Sequence, residues 1–452
     1  VLDADDFTDR DPQLIQVLRE RDLLPLRSTD EAFQHLLKLV GFHTGDGSFQ
    51  GSNSWFYGDP EDLEAIQDDI AKIGFTPSRI YDRDRSHDID GKTCETTEYS
   101  VKANANAFKQ LLTKLGAPAG KKVASDFTIP GYLHRLADWQ KALYLSGFFG
   151  AELSTPDTVA PKTFNAPSLS HNRLLEHQDA GEVFMRDIKA LLAELGIRTN
   201  ALEEVERSET TSGQTVRFRF GIKSGDSNLI RFFTKVGYRY NHAKQQQAVV
   251  AAQYLKRKQR VLDNRARIVE ESKVLADGGL PSTEAKRRVK DDGVNERFIE
   301  RSLYDQRKCR PRPPMDFPDF ETYRKRTPVK PNLTIATEVE RIREVGHQPV
   351  YDIGVEHDAH NFVANGFVVS NCGVRMLKTD LTYSDLQGRE EELVNALFDR
   401  IPQGLGKGGV VETDMETIEK VLDRGMDWAL EAGYAVEDDL EHCEDNGYRE
   451  EA

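Results

Sequence analysis

The stretch HNFVANGFVVSNC, residues 360–372, holds three side chains that can act on a peptide bond. Asn365-Gly366 fits a two-residue type I′ turn, so Phe362–Ala364 and Phe367–Val369 are expected to be the strands of a hairpin. Pairing Ala364 with Phe367 places His360 opposite Asn371, their β-carbons roughly 5 Å apart. The Asn371 side-chain amide can attack its own main-chain carbonyl, close a succinimide and break the bond to Cys372, with His360 as general acid. Cys372 is placed to receive an acyl group as a thioester before that bond breaks.

A second chemistry comes from two carboxylates. The helical stretches AFQHLLKLVGFHTGDG and DWQKALYLSGFFGAEL both run through small residues to an acid, Asp46 in one and Glu152 in the other. Gly41 and Gly45, with Ser146 and Gly147, would let the two helices pack closely at a shared axis and bring the acids together. Adjacent carboxylates repel unless a divalent cation lies between them, and Mg²⁺ takes such oxygen ligands. The arrangement suits metal-assisted phosphodiester hydrolysis.

The elements that must position these acids occur twice. Each segment runs helix, strand pair, helix, strand pair, helix, closing on TKLG in the first and TKVG in the second. Two αββαββα repeats over residues 31–240 predict a pseudo-twofold α+β unit. Beyond it, Lys244–Lys330 holds 22 Lys/Arg against 13 Asp/Glu, whereas Cys372–Ala452 holds 8 against 21. PSTEAKRRVKDDGVNERFIERSLYD fits a short helix, a turn at Asp291–Val294 and another helix, a helix-turn-helix pattern. There Lys286, Arg287, Arg288 and Lys290 are candidates for DNA phosphate contacts, which set affinity rather than sequence preference.

The chain has 452 residues, a formal charge of −15 and four scattered cysteines, which exclude a disulfide framework and metal-knuckle spacing. Mean hydropathy is −0.59, and no apolar run approaches a membrane span, so a cytoplasmic protein without membrane contact is expected. The net acidity also suits a salt-rich cytoplasm.

The paired helices resemble the LAGLIDADG homing endonucleases, in which each repeat contributes one acid to the cleavage centre. That resemblance implies Asp46 and Glu152 as catalytic Mg²⁺ ligands, double-stranded DNA as partner, and a catalytic lysine at Lys121 or Lys122 in KKVASDFTIPGYL. Ala151 and Leu153 flank the second acid where that family usually has glycine. The segment PVYDIGVEHDAHNFVANGFVVSNC resembles the C-terminal splicing blocks of inteins, with an all-β HINT domain as the implied fold. It implies Asp352 and His360 as the catalytic pair, Asn371 as the cyclising residue and Cys372 as the nucleophile, with Ser370 in place of the usual penultimate histidine. The chain opens on Val1 and has no histidine before His35, so a separate N-terminal half is an expected partner and cis-splicing is not expected.

The tail from CGVRMLKTDLTYSDLQGREEELVNALFDRIPQGLGKGG resembles RtcB tRNA-splicing ligases, which implies an α/β fragment with Cys372 as a Mn²⁺ ligand. In the complete host, the resemblance implies joining of RNA 2′,3′-cyclic phosphate or 3′-phosphate ends to 5′-hydroxyl ends with GTP. The expected organisation is therefore a linker (1–30), endonuclease (31–240), basic helical region (241–325), splicing segment (326–371) and ligase fragment (372–452). The expected activities are DNA cleavage and splicing chemistry, with no ligase activity from the fragment. The alternative is an inactive remnant that only binds DNA or serves as structure.

Overall fold

A computed structural model describes residues 1–7, 11–89, 92–210, 213–289, 294–304, 312–330, 333–335, 346, 361–364, 367–370, 386–400 and 415–440. The chain divides into two units, Val1–Ile342 and Arg343–Ala452.

The first unit opens with α1 (Pro12–Arg19), whose N-cap Asp11 accepts from the Gln13 amide and whose Pro12 starts the first turn. Leu14 and Leu18 of α1, with Leu23, Leu24 and Leu26 after it, are buried in the main core.

The repeat order is complete in the first copy, whereas the second carries one sheet strand in place of the first strand pair. The first copy is α2 (Glu31–Asp46), β1 (Gly47–Gln50), β2 (Asn53–Tyr57), α3 (Pro60–Lys72), β3 (Tyr81–Ile89), β4 (Lys92–Asn104) and α4 (Asn106–Lys114). The second is α5 (Asp138–Glu152), the small hairpin β5 (Thr158–Ala160) and β6 (Thr163–Phe164), then β7 (Ser168–Leu174), α6 (Gln178–Glu194), β8 (Glu203–Thr210), β9 (Gly213–Gly221) and α7 (Asp226–Lys235). The sheets are antiparallel, with orders β1-β2-β4-β3 and β7-β9-β8. Strand β7 pairs with β9 as β2 pairs with β4, so β5 and β6 are an addition to the second copy.

Local sequence explains the elements. In α2, Phe33, Leu36, Leu37 and Val40 recur at helical spacing and are buried. In β9, buried Val216, Phe218 and Phe220 alternate with exposed Arg217 and Arg219, the period-two pattern of a half-buried strand. Both copies send aromatic rings into one core: Phe42 lies against Phe56, and Phe148 meets Phe184 edge-on at 5.6 Å. Burying each such ring contributes about 1.5–3 kcal/mol.

The two copies meet along α2 and α5. A Cβ on Gly41 would strike the Tyr144 carbonyl, and one on Gly147 would strike the Lys38 carbonyl, so each glycine admits the other helix's backbone. Ser146 beside them is buried, its hydroxyl donating to the Leu143 carbonyl at 2.9 Å.

Helix α8 (His242–Asp277) then leads to α9 (Ser282–Arg288), α10 (Glu296–Tyr304) and α11 (Phe320–Arg326). Ile268, Val289, Val294 and Ile299 form a second, smaller core, while Phe320 returns to the main one against Phe164 at 4.7 Å. In the second unit β10 (Asn361–Ala364) and β11 (Phe367–Ser370) pair antiparallel with Ala364 opposite Phe367 and Asn361 opposite Ser370, the register expected from Asn365-Gly366. Helices Glu390–Arg400, Met415–Glu431 and Glu437–Leu440 complete the description. No helix among the described residues is long and apolar enough to cross a membrane.

Gly41→Ala and Gly147→Ala should each cost about 1–3 kcal/mol in urea unfolding, because the added methyl meets main chain that cannot step aside. Gly131→Ala, where a Cβ meets open space, should stay within about 0.5 kcal/mol.

Candidate dicarboxylate site

Close packing of α2 and α5 brings their C-terminal ends together at Asp46 and Glu152. A Cβ on Gly45 would lie 2.9 Å from Glu152 Cγ, so the acid of one helix sits directly on the bare backbone of the other. Asp46 opens to solvent and Glu152 is half-buried. Desolvation raises both carboxyl pKa values above the ordinary range, and the negative charge of Asp46 raises Glu152 further.

Two lysines answer these charges. Lys122, at the start of a 3₁₀ turn, donates from Nζ to the His43 carbonyl at 2.8 Å and to the Gly45 carbonyl, at the end of α2. Lys244, in the first turn of α8, donates to the Gly150 carbonyl at 2.9 Å and the Ala151 carbonyl at 3.4 Å, at the end of α5. Each ammonium thus sits at the C-terminal, electronegative end of one acid-bearing helix. Burial lowers the Lys122 amine to about 8, against the pull of Asp46 and Glu152, and lowers Lys244 as well. Lys122 is the one of the sequence-predicted pair that enters the site; Lys121 is exposed. Lys244 escaped the sequence reading. Its only sequence signal is position, since each lysine follows soon after the closing helix of its repeat, Lys122 after α4 and Lys244 after α7.

Two buried side chains, His43 and Arg173, lie close enough to Lys122 to feel its charge. His43 is fully buried and stacks on Phe49 at 4.1 Å, and burial lowers its ring to about 3, so it is neutral at physiological pH. Arg173 of β7 is also fully buried, its guanidinium 4.0 Å from the Phe127 ring centroid. On the first sheet Lys102 lies over Trp55 at 5.0 Å and Tyr81 at 5.7 Å. On the second, Arg217 binds Asn172 at 3.1 Å and Glu206 at 2.9 Å, and Arg219 binds the Ser168 hydroxyl at 3.1 Å.

In the basic helical region Lys286 is bonded to Glu300 of α10, which ties α9 to α10. Arg287 and Arg288 are exposed, with Glu284 at 3.0 Å and 3.5 Å. Arg265 of α8 lies 3.8 Å from the Phe298 ring centroid and clamps α10 to α8. Lys290 lies outside the described residues, as do Asp352, His360, Asn371 and Cys372.

Residues 345–452 match the family described as tRNA-splicing ligase RtcB. The whole chain is similar to RtcB ligases. It is 34% identical over 460 residues to the tRNA-splicing ligase RtcB of Methanopyrus kandleri, covering 99% of this chain and 45% of that protein. It is 34% identical over 467 residues to that of Pyrococcus furiosus, covering 100% of this chain and 46% of that protein. The chain therefore spans just under half the length of these curated relatives. It is also 27% identical over 370 residues to DNA-directed RNA polymerase subunit Rpo1N of Methanocaldococcus jannaschii, covering 80% of this chain and 24% of that protein. Most of its length thus has relatives outside the ligases too.

These matches correct the functional expectation. Similarity to RtcB does not begin at Cys372: the family match starts at residue 345, and the full-length similarity takes in the duplicated unit as well. The expected activities, DNA cleavage and self-splicing with no ligase activity, give way to likeness to RtcB ligases along the chain.

The electrostatics carry a stability consequence. Because the Glu152 pKa is raised on folding, the folded state binds more protons than the unfolded state through that window, and stability contributed by this group falls as pH rises through it. Glu152→Gln should therefore raise Tm at pH 7 by a few degrees, about 1 kcal/mol. The gain should vanish as pH falls below the ordinary carboxylate range, as differential scanning calorimetry from pH 3 to 8 can check.

Proposed function

We propose that this chain is part of an RtcB-type RNA ligase, and that Asp46 and Glu152 form a divalent-cation centre that engages phosphate groups of a nucleic-acid backbone. The family match over residues 345–452 and the similarity along the chain support the first part. The convergence of two carboxylates and two lysines at the ends of α2 and α5 is the observation that carries the second.

In this reading the complete ligase joins RNA 2′,3′-cyclic phosphate or 3′-phosphate ends to 5′-hydroxyl ends, using GTP and Mn²⁺. Cys372 is a Mn²⁺ ligand there.

The donor set at Asp46 and Glu152 fits Mg²⁺ or Mn²⁺ in one respect that matters. Among the described residues no group of three or more His, Cys, Asp or Glu side chains could hold a metal, so this is a two-carboxylate site and not a closed protein cage. Hard, weakly dehydrating cations are held in that way, with water and substrate phosphate completing the shell. A bound cation supplies charge neutralisation at a phosphate oxygen. The protein's own groups do the rest. Asp46 and Glu152 are held together at a cost in repulsion that a bound cation would relieve further than the two lysines do. Lys122 and Lys244 hold positive charge at the edge of the site, where a phosphate's negative charge accumulates during transfer. Lys102 and the exposed Arg287 and Arg288 offer salt-sensitive backbone contacts.

Titration with Mn²⁺, followed by the EPR signal of the free ion, should show a site that weakens at least tenfold in Asp46→Asn and in Glu152→Gln. Binding indifferent to both changes would overturn the cation centre. For the ligase reading, the complete protein should join RNA ends with GTP and Mn²⁺ and lose that activity in Cys372→Ala; joining that survives the change would overturn the role of Cys372.

A further inference from the structure

Lys244 reaches the paired acids along a segment whose placement is decided far from the site. The chain leaves α7 at Lys235, passes Gly237 at φ +63° and Tyr240 at φ +55°, and enters α8 at His242. A left-handed backbone is unfavourable for tyrosine and persists only where its surroundings hold it. Here the ring is buried edge-on to Phe42 at 5.4 Å, and its hydroxyl donates to Asp69. Asp69 is buried on α3 and also takes Lys38 at 2.7 Å and His35 at 2.5 Å from α2. Two turns earlier on α3, buried Asp62 accepts the His242 main-chain N–H at 2.6 Å.

The other side of the segment lies on α5. The Arg239 amide donates to the Ser146 carbonyl at 2.9 Å, and Gly150 has no side chain to strike the Arg239 carbonyl. Asn241 caps α8 by accepting the Lys244 amide at 3.1 Å, and its own side-chain amide donates to the Gly150 carbonyl at 3.2 Å. The first repeat's outer helix therefore fastens the segment that follows the second repeat at two points, one on each side of the α8 N-cap.

We propose that Asp69 and Asp62 of α3, acting through Tyr240 and the His242 amide, are positioning residues that set Lys244 against the Asp46–Glu152 pair. This rests on the reading of that pair as a cation centre, since positioning a lysine there matters only if charge is handled there. Lys244 touches the site; Tyr240, Asp69 and Asp62 act through it.

The test uses two readouts on the chain. Acylation of individual lysines by an amine-reactive ester, followed by peptide mass spectrometry, needs no metal. Lys244 should react at least tenfold more slowly than exposed Lys121, and Tyr240→Phe should speed Lys244 at least fivefold while leaving Lys121 unchanged. Asp69→Asn reaches the same hydroxyl from the other side and should act in the same direction. Mn²⁺ titration by EPR is the second readout. Lys244→Met should tighten Mn²⁺ binding severalfold by removing a competing positive charge, Tyr240→Phe should shift it the same way, and Tyr240→Phe should add nothing in the Lys244→Met background. An unchanged Lys244 acylation rate in Tyr240→Phe and Asp69→Asn proteins that still unfold cooperatively overturns the positioning role, whatever the titration shows. Mn²⁺ binding indifferent to Asp46→Asn, with Lys244 released by Tyr240→Phe, overturns the cation centre and supports the positioning.

Discussion

The backbone contact between α2 and α5 is the constraint on which the rest of the first unit depends. Helices with ordinary side chains at the crossing sit 8–10 Å apart. Gly41 and Gly147 remove the obstruction in a reciprocal way, each facing a carbonyl of the opposite helix near its own counterpart. Everything that converges at the far end follows from this approach. Asp46 and Glu152 become neighbours because the helices cannot diverge before they end.

That geometry is electrostatically unfavourable, and the protein responds locally. Both carboxyls are shifted toward their neutral form, which means that the fold works against their ionisation. Lys122 and Lys244 offset part of the cost, yet both donate to main-chain carbonyls rather than closing ion pairs with the acids. The carboxylate oxygens therefore keep lone pairs for another ligand. Such an arrangement lowers stability where binding is needed, as functional sites commonly do. The network around Asp69 is the opposite case. Lys38, His35 and Tyr240 surround one buried carboxylate so fully that its pKa falls despite burial, and the network serves cohesion between α2, α3 and the entry to α8.

How legible all this was in the chain differed from element to element. The repeat order, the helix carrying each acid and the small residues at the crossing were visible, because each is written in local pattern: helical spacing in α2 and α5, alternation in β9, and an Asn-Gly turn between β10 and β11. The β5–β6 hairpin was not, since its strands are too short to carry a period. That leucines of residues 11–30 reach the main core was not legible either, since the segment was placed only by what the intein resemblance implies. The ion pair of Lys286 with Glu300 was not legible, because net charge cannot reveal which acid lies against a lysine. The functional assignment failed differently: motif likeness pointed to cleavage and splicing, whereas likeness over the whole chain pointed to RtcB.

By itself, the sequence determined which residues carry the charge, where the helices and strands form, and that Asp46 and Glu152 occupy equivalent places in two copies of one unit. Those are properties of residue type and spacing, which act over a few residues. Tertiary structure alone decided that Lys122 and not Lys121 enters the site, that Lys244 joins it from the start of α8, and that α3 holds Lys244's segment through Asp62 and Asp69. The physical reason is distance along the chain. Lys244 meets helix ends some ninety residues away and Tyr240 meets Asp69 171 residues away, and contacts of that span leave no period or motif to read.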